Sequence, residues 1–327
     1  MPTPPSAVLE TSDVSRSTAA HGLGEMVRAG LSAPRKQLQP AYFYDALGSA
    51  LFDTITLLPE YAITRAEAAV LQTHGREIIA AAGSPDELIE LGPGNGEKLG
   101  WILESCRAAR APKCVHLIDI SASALASARA RLGDSWKVEI TVHQATFAEG
   151  LAALPRSRGR RLVLLLGSNI GNFSPDEARN FLRMMHRSLA PGDALLLGVD
   201  LVKPEPVLVA AYDDALGVTA AFNKNILLRI NRALGANFDL LAFDHRAVWN
   251  AAASRVEMHL VSVVEQRIEI SALDLVISFE VGETIWTESS YKYTAHGFSE
   301  LVESAGFRRA GEWIHGEHAF LEALFSV

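Results

Sequence analysis

The segment ELGPGNG (90–96) stands directly after an apolar run, ELIELG (87–92), and directly before a helical pattern over 96–110. Glycines at such a junction let the backbone turn tightly and approach a ligand with no side chain in the way. The spacing is GxGxG, not the GxGxxG dinucleotide fingerprint, which favours a nucleoside with no pyrophosphate to cradle. Asp119 closes a second apolar run, VHLIDI (115–120), where a carboxylate can accept hydrogen bonds from both ribose hydroxyls. A third cluster, GSNIGNF (167–173), follows the run RLVLLLG (161–167). Small residues there open the end of a strand, and Asn172 offers both a donor and an acceptor. Two distant segments, LPEYAITRAE (58–67) and WTESSYKYT (286–294), string polar and aromatic groups together without a core-like pattern.

Such turns need a sheet to hold them. Runs at 87–92, 115–120, 137–144, 161–167 and 193–202 read as strands, and 96–110, 122–132 and 175–190 as the helices between them. Strand–helix–strand alternation with nearly all-apolar strands predicts an α/β fold, an open parallel sheet covered on both faces. Before it, Leu47, Leu51, Phe52, Ile55 and Leu58 carry helical spacing up to Pro59, and a second helical stretch runs to about Ala82. After it the alternation stops. Helices near 205–236 and β-type runs such as RAVWN and HLVSVVEQRIEI predict an inserted or flanking α+β lobe. A helix at 298–305 and a terminal antiparallel hairpin follow. The expected division is 1–60 with 203–286 as one lobe and 61–202 with 287–327 as the sheet domain. About the first 15 residues, rich in Ser, Pro and Thr, are expected to be mobile.

Composition excludes several classes. The chain has 327 residues with 30 Lys+Arg against 38 Asp+Glu, a net charge of -8, and no basic tract for phosphate contacts. No run approaches the roughly 18 apolar residues of a membrane span, and no signal peptide is visible. The two cysteines, Cys106 and Cys114, lack CxxC spacing, and the histidines lack metal-ligand spacing. A cytoplasmic, monomeric enzyme with no metal, no nucleic acid and no membrane partner is the expectation.

The glycine turn, Asp119 and the alternation together resemble the cofactor site of Rossmann-like S-adenosylmethionine-dependent methyltransferases. Longer matches narrow the resemblance: YFYDALGSALFDTITLLPEY, ELGPGNGEK, LGSNIGNF, GVDLVKPEPVLVAAYDD, GVTAAFNKN, VEMHL and TESSYKYT. In order, from about residue 38 to the end, they are similar to the histidine-specific Nα-methyltransferases of ergothioneine biosynthesis. The resemblance implies a class I methyltransferase sheet, mostly parallel with a terminal antiparallel hairpin, and an added substrate-binding lobe. It implies S-adenosylmethionine as methyl donor, held by Gly92, Gly94, Lys98 and Asp119, with Thr146 and Phe147 beside the adenine. Thr146 stands where a carboxylate would take the adenine amino proton, which leaves the Phe147 N–H for the ring. Tyr61, Asn172 and Tyr212 would grip the α-carboxylate and α-amine, with the main chain near Gly167. Glu288 and Ser290 would bind the imidazole, Met258 would pack beside it, and Tyr44 would lie near the reacting amine.

The implied reaction is transfer of three methyl groups to the α-amine of L-histidine, giving the betaine hercynine. In-line displacement at a sulfonium methyl mainly requires a neutral amine held in position. A carboxylate facing an imidazole makes a charge-assisted hydrogen bond that a phenyl group, with no donor, cannot return. Two other readings stay open: an Nα-methyltransferase for tryptophan or tyrosine, and a non-catalytic protein that binds S-adenosylmethionine or an amino acid.

Overall fold

A computed structural model describes residues 22–107, 110–136, 138–155, 157 and 159–327. The N-terminal stretch expected to be mobile lies outside the described residues, as does Lys137 at the start of the expected third strand. The chain divides into two compact units. One comprises Met1–Phe52, Asp213–Val248 and Glu257–Glu288; the other comprises Asp53–Tyr212, Trp249–Val256 and Ser289–Val327.

The second unit is built on a seven-stranded sheet. Its strands are β1 (Glu87–Leu91), β2 (Cys114–Asp119), β3 (Glu139–Gln144), β4 (Arg161–Leu165), β5 (Ala194–Asp200), β11 (Arg308–His315) and β12 (Phe320–Ser326), in the order β11-β12-β5-β4-β1-β2-β3. The first five run parallel. β12 runs antiparallel to β5, and β11 antiparallel to β12. The expected α/β sheet with its terminal hairpin is therefore present.

Alternation along each strand divides the apolar residues between two cores. Ile89, Leu91, Val163, Leu165, Leu195 and Leu197 face one side, with Leu182 and Met185 of α7 (Pro175–Ser188) and Phe298 of α10 (Ala295–Glu303). Leu88, Leu162, Leu164, Leu196 and Leu324 face the other, against α3 (Ile63–Ala81), α4 (Glu97–Arg107) and α5 (Ala122–Leu132). Both faces are covered at the centre of the sheet, which is why β4 and β5 read as nearly unbroken apolar runs.

The glycine turn is a tight one. The Gly96 N–H donates to the Pro93 carbonyl at 2.8 Å, and Asn95 Oδ1 accepts from the Glu97 N–H at 3.0 Å, at the head of α4. Gly96 holds φ +77°, and a Cβ there would lie 2.9 Å from Ala128 Cα. Both the left-handed backbone and the close helix-to-helix approach require glycine. Gly96→Ala is expected to lower stability by about 2 kcal/mol or more. A urea midpoint equal to wild type would refute that account.

The first unit holds a helix over 22–31, most of α2 (Ala46–Ile55), and α9 (Val218–Leu234). It also holds the two-stranded β8 (Gln266–Ile270) and β9 (Leu275–Phe279), which pair antiparallel. A three-stranded sheet runs β10 (Thr284–Tyr291), β7 (Arg255–Ser262), β6 (Phe243–Asn250). The helical region expected near 205–236 is broken in two, α8 (Glu205–Ala210) and α9. Gly217 adopts φ +74°, and the Asp214 carboxylate accepts from the Val218 and Thr219 N–H groups at 3.0 and 2.7 Å. That local bonding starts a new helix instead of continuing the old one. The run HLVSVVEQRIEI likewise splits between β7 and β8.

Candidate active site

In the sheet order, β1 has β4 on one side and β2 on the other, so chain order reverses there. Ligands of open α/β sheets sit beyond the strand C-termini at such a switch point. The loops that leave β1 and β4 meet at this place. A Cβ on Gly92 would lie 3.2 Å from Asn169 Nδ2 and 3.6 Å from the Phe147 ring. A Cβ on Gly167 would lie 2.7 Å from Lys98 Nζ. Gly94 has nothing within 4 Å of its Cβ position, so the tip of the turn is open. Ser168, next to Gly167, adopts a left-handed φ of 58°, unusual for a residue with a side chain. Its hydroxyl accepts from the Asp200 N–H at 3.0 Å, which offsets that cost.

Beneath these loops lies a buried acid cluster that sequence reasoning did not single out. Glu67 of α3, Glu90 of β1 and Glu322 of β12 are all almost fully buried. Glu67 forms an ion pair with Lys98, and its Oε1 accepts from the Gly167 N–H at 2.5 Å. A Cβ on Gly198 of β5 would lie 2.3 Å from that same oxygen, so only glycine leaves room for the carboxylate. Burial holds the Glu322 carboxyl protonated well above the usual carboxylate range, and the adjacent Glu67 charge adds to this. Burial pushes the Glu90 carboxyl up to about 8, opposed by Lys98 and assisted by Glu67 and Asp119.

A pH dependence follows from Glu90. The folded chain keeps the Glu90 proton up to about pH 8, whereas the unfolded chain releases it above about 4.5. Folding therefore takes up a proton in that window, and stability falls as pH rises through it. Glu90→Gln is expected to flatten this slope, by up to about 1.4 kcal/mol per pH unit. Urea melts at several pH values read it directly. An unchanged slope would mean that Glu90 is ionised in the folded chain.

Asp119 ends β2, and its Oδ1 accepts from the Ser121 N–H at 2.8 Å. Burial raises its carboxyl above the usual range, opposed by the N–H groups of Ser121 and Ile120. Thr146 is committed locally. It is the N-cap of α6 (Phe147–Ala153), in a capping box with Glu149: Thr146 Oγ1 accepts from the Glu149 N–H at 3.3 Å and donates to the Glu149 carboxylate at 2.7 Å. Asn172 is half-buried at the end of the short 3-10 turn Asn169–Asn172.

Tyr61, Tyr212 and Ser290 are buried in the same unit. The Tyr61 and Tyr212 rings meet edge-on at 6.4 Å. The Tyr212 hydroxyl lies 2.7 Å from Ser290 Oγ, and the Lys292 ammonium donates to both, at 2.8 and 2.9 Å.

Tyr44, Met258 and Glu288 belong to the first unit. The Tyr44 ring packs edge-on against Phe52 and Phe222, with centroids 5.7 and 5.8 Å away. Met258 is buried, and its carbonyl accepts from Thr287 Oγ1 at 3.0 Å. Glu288 is half-buried on β10, and its carbonyl accepts from the Trp286 indole N–H at 2.8 Å.

Both cysteines are free, and burial pushes the Cys106 thiol up to about 12. Among the described residues one trio, Glu87, Cys114 and His116, brings possible metal ligands within 4.8 Å of one another. Glu87 is already bound to Arg161 and Ser157, and the trio sits at the sheet end opposite the glycine turn.

Comparison with known proteins matches residues 23–327 to the family described as histidine-specific methyltransferase, SAM-dependent. The chain is 47% identical to a histidine N-alpha-methyltransferase of Mycolicibacterium smegmatis, covering 90% of this chain and 92% of that one. An ergothioneine biosynthesis protein 1 of Neurospora crassa is 29% identical over 88% of this chain, which spans a third (33%) of that longer protein. A 4-dimethylallyltryptophan N-methyltransferase of Claviceps purpurea is 26% identical, covering 92% of this chain and 94% of that one.

Proposed function

The chain belongs to the family of histidine-specific, S-adenosylmethionine-dependent methyltransferases, and from that premise we propose that it methylates the α-amine of L-histidine three times to give hercynine. The observation that carries the substrate is the 47% identity to a histidine N-alpha-methyltransferase over nearly the whole of both chains. The relative named for ergothioneine biosynthesis supports a place for the product in that pathway.

The residues at the switch point suit the cofactor. Glycines with positive φ at 92, 94 and 96 form a side-chain-free cradle, and Asp119 closes the neighbouring strand. When bound, the sulfonium supplies the methyl group. Gly92, Gly94, Lys98, Asp119 and Phe147 would hold the donor. The Thr146 hydroxyl is engaged in the helix cap, and its remaining lone pair would face the adenine beside Phe147.

Tyr61, Tyr212 and Asn172 would take the α-carboxylate and α-amine. Asn172 Oδ1 and the Gly167 carbonyl would accept from the amine and aim its lone pair. Over three transfers the ammonium group gives up three protons and ends as a quaternary ammonium, so each round needs a proton acceptor. Tyr44 or water would take the proton, although an ordinary tyrosine, with a pKa of about 10, is a weak base at neutral pH. Glu288 and Ser290 would read the imidazole, and Met258 would close its apolar side. The first unit serves in this reading as the substrate lobe, the second as the methyltransferase domain.

Mass spectrometry of the protein with S-adenosylmethionine and all twenty amino acids tests the proposal. Mono-, di- and trimethylated histidine are expected. Methylation of tryptophan or tyrosine with histidine untouched would sink it, and would fit the lower similarity to the Claviceps enzyme. Cofactor binding with no turnover would instead favour a sensor. We further place the enzyme in the cytoplasm as a monomer, in keeping with its two free thiols. No helix among the described residues is long and apolar enough to cross a membrane. A sedimentation mass of a dimer would overturn the monomer.

A further inference from the structure

Lys292 is a buried lysine with no assigned part in the reaction. Its side chain is 0% exposed. An ammonium has three N–H donors and no acceptor. All three are accounted for here: Asp200 Oδ2 at 2.9 Å, the Tyr212 hydroxyl at 2.8 Å and Ser290 Oγ at 2.9 Å. The other Asp200 oxygen accepts from Lys203 Nζ at 2.6 Å, and the Asp200 N–H is bound to Ser168 in the loop that carries Gly167 and Asn172. The Lys292 backbone is fixed as well, since its N–H donates to the Ser254 carbonyl at 2.8 Å and its carbonyl accepts from Ser254 Oγ at 2.7 Å. A buried ion pair with this many bonds costs desolvation and repays little in stability. Its effect on the two hydroxyls it holds calls for another account.

Counting hydrogens supplies one. Tyr212 and Ser290 together carry two hydroxyl hydrogens. Each oxygen already accepts from Lys292, and at 2.7 Å one of the two hydrogens must lie between them. One hydrogen is left, and it must point away from the pair. In the structure Tyr212 donates to Ser290, so Ser290 presents its O–H outward. If Ser290 donates to Tyr212, then Tyr212 presents the O–H and Ser290 presents a lone pair. Without the ammonium, both oxygens would gain free lone pairs and the hydroxyls could rotate to other partners.

We propose that Lys292, anchored by Asp200, is a positioning residue for the amino-acid substrate. It holds Tyr212 and Ser290 so that the pair offers one outward donor at a time, coupling what one hydroxyl does to what the other can do. This rests on the reading of Tyr212 and Ser290 as substrate contacts. In that reading, donation by Tyr212 to the α-carboxylate turns Ser290 into an acceptor for an imidazole N–H. The two ends of the substrate are then recognised together.

The test is a calorimetric cycle on the full chain saturated with S-adenosylhomocysteine. Lys292→Met, which keeps the length and removes the donors, is expected to weaken histidine binding by about 10- to 100-fold. Affinity for S-adenosylhomocysteine should stay within about twofold, because Lys292 does not act on that ligand. In a Tyr212→Phe, Ser290→Ala background the same substitution should add less than about twofold, since its means of action is gone. Unchanged histidine affinity in Lys292→Met, or a full additional loss in the double background, would overturn the proposal. Should Lys292→Met not fold, Lys292→Gln enters the same cycle with the same criteria. Should wild type bind another amino acid instead of histidine, the histidine reading falls, and the cycle run with that amino acid still decides the role of Lys292.

Discussion

Glu67→Ala is expected to cost about 3–5 kcal/mol of stability and to weaken S-adenosylhomocysteine binding severely, whereas Glu322→Gln is expected to be nearly silent. Both carboxyls are fully buried and lie against each other. They differ in what they carry. Glu67 neutralises Lys98 and accepts the Gly167 N–H, so its removal leaves an amine without its ion-pair partner, an orphaned backbone donor and a cavity beside Gly198. The Lys98 side chain and the Gly167 peptide then lose their positions at the meeting of the two loops. Glu322 keeps its proton, and an amide has nearly the shape and neutrality of a protonated acid. Urea denaturation with calorimetry of S-adenosylhomocysteine reads both variants. Equal losses from Glu67→Ala and Glu322→Gln would mean that Glu322 is ionised in the folded chain and that its charge is needed as well.

Glu288→Ala is expected to lower kcat/KM for L-histidine by roughly 10- to 100-fold, carried mostly by KM, with cofactor affinity unchanged. A charge-assisted hydrogen bond is worth about 1.5–3 kcal/mol, and truncation leaves the imidazole N–H without its acceptor. Glu288→Gln keeps an acceptor without the charge and should fall between wild type and alanine. Parallel assays with phenylalanine separate recognition from general damage, since a phenyl ring has no donor for the carboxylate. Equal losses for both amino acids would remove Glu288 from imidazole recognition.

Much of the molecule was legible in the chain. The inner strands β4 and β5 announce themselves because burial on both faces leaves almost no polar residue in them, whereas the edge strand β3 shows itself by alternation. The terminal hairpin and the glycine turn follow from local residue types, and the ordered motifs from Tyr42 to Thr294 specify the family. The Thr146 hydroxyl goes to Glu149, three residues on, through a cap that the T-x-x-E spacing at 146–149 could have signalled. Gly217 and Asp214 could have signalled the break between α8 and α9 in the same way.

The acid cluster left only a faint trace. Glu90 and Glu322 are charged residues inside otherwise apolar strands, which is rare unless a partner waits. Nothing local says who the partner is. The resemblance puts Lys98 at the cofactor and gives Glu67 no part, yet the two are an ion pair. Within TESSYKYT no role falls to Lys292, yet Asp200, Tyr212 and Ser290 enclose it. Periodicity reports which face of an element a residue occupies, and propensity reports the element. Both arise from neighbours a few residues away, so the strands, turns and family were open to reading. Convergence of α3, β1, α4 and β12 on one buried charge depends on how the sheet orders its strands. That order is set by pairing between strands far apart in the chain, such as Phe320 against Asp200, and only the folded chain decides it.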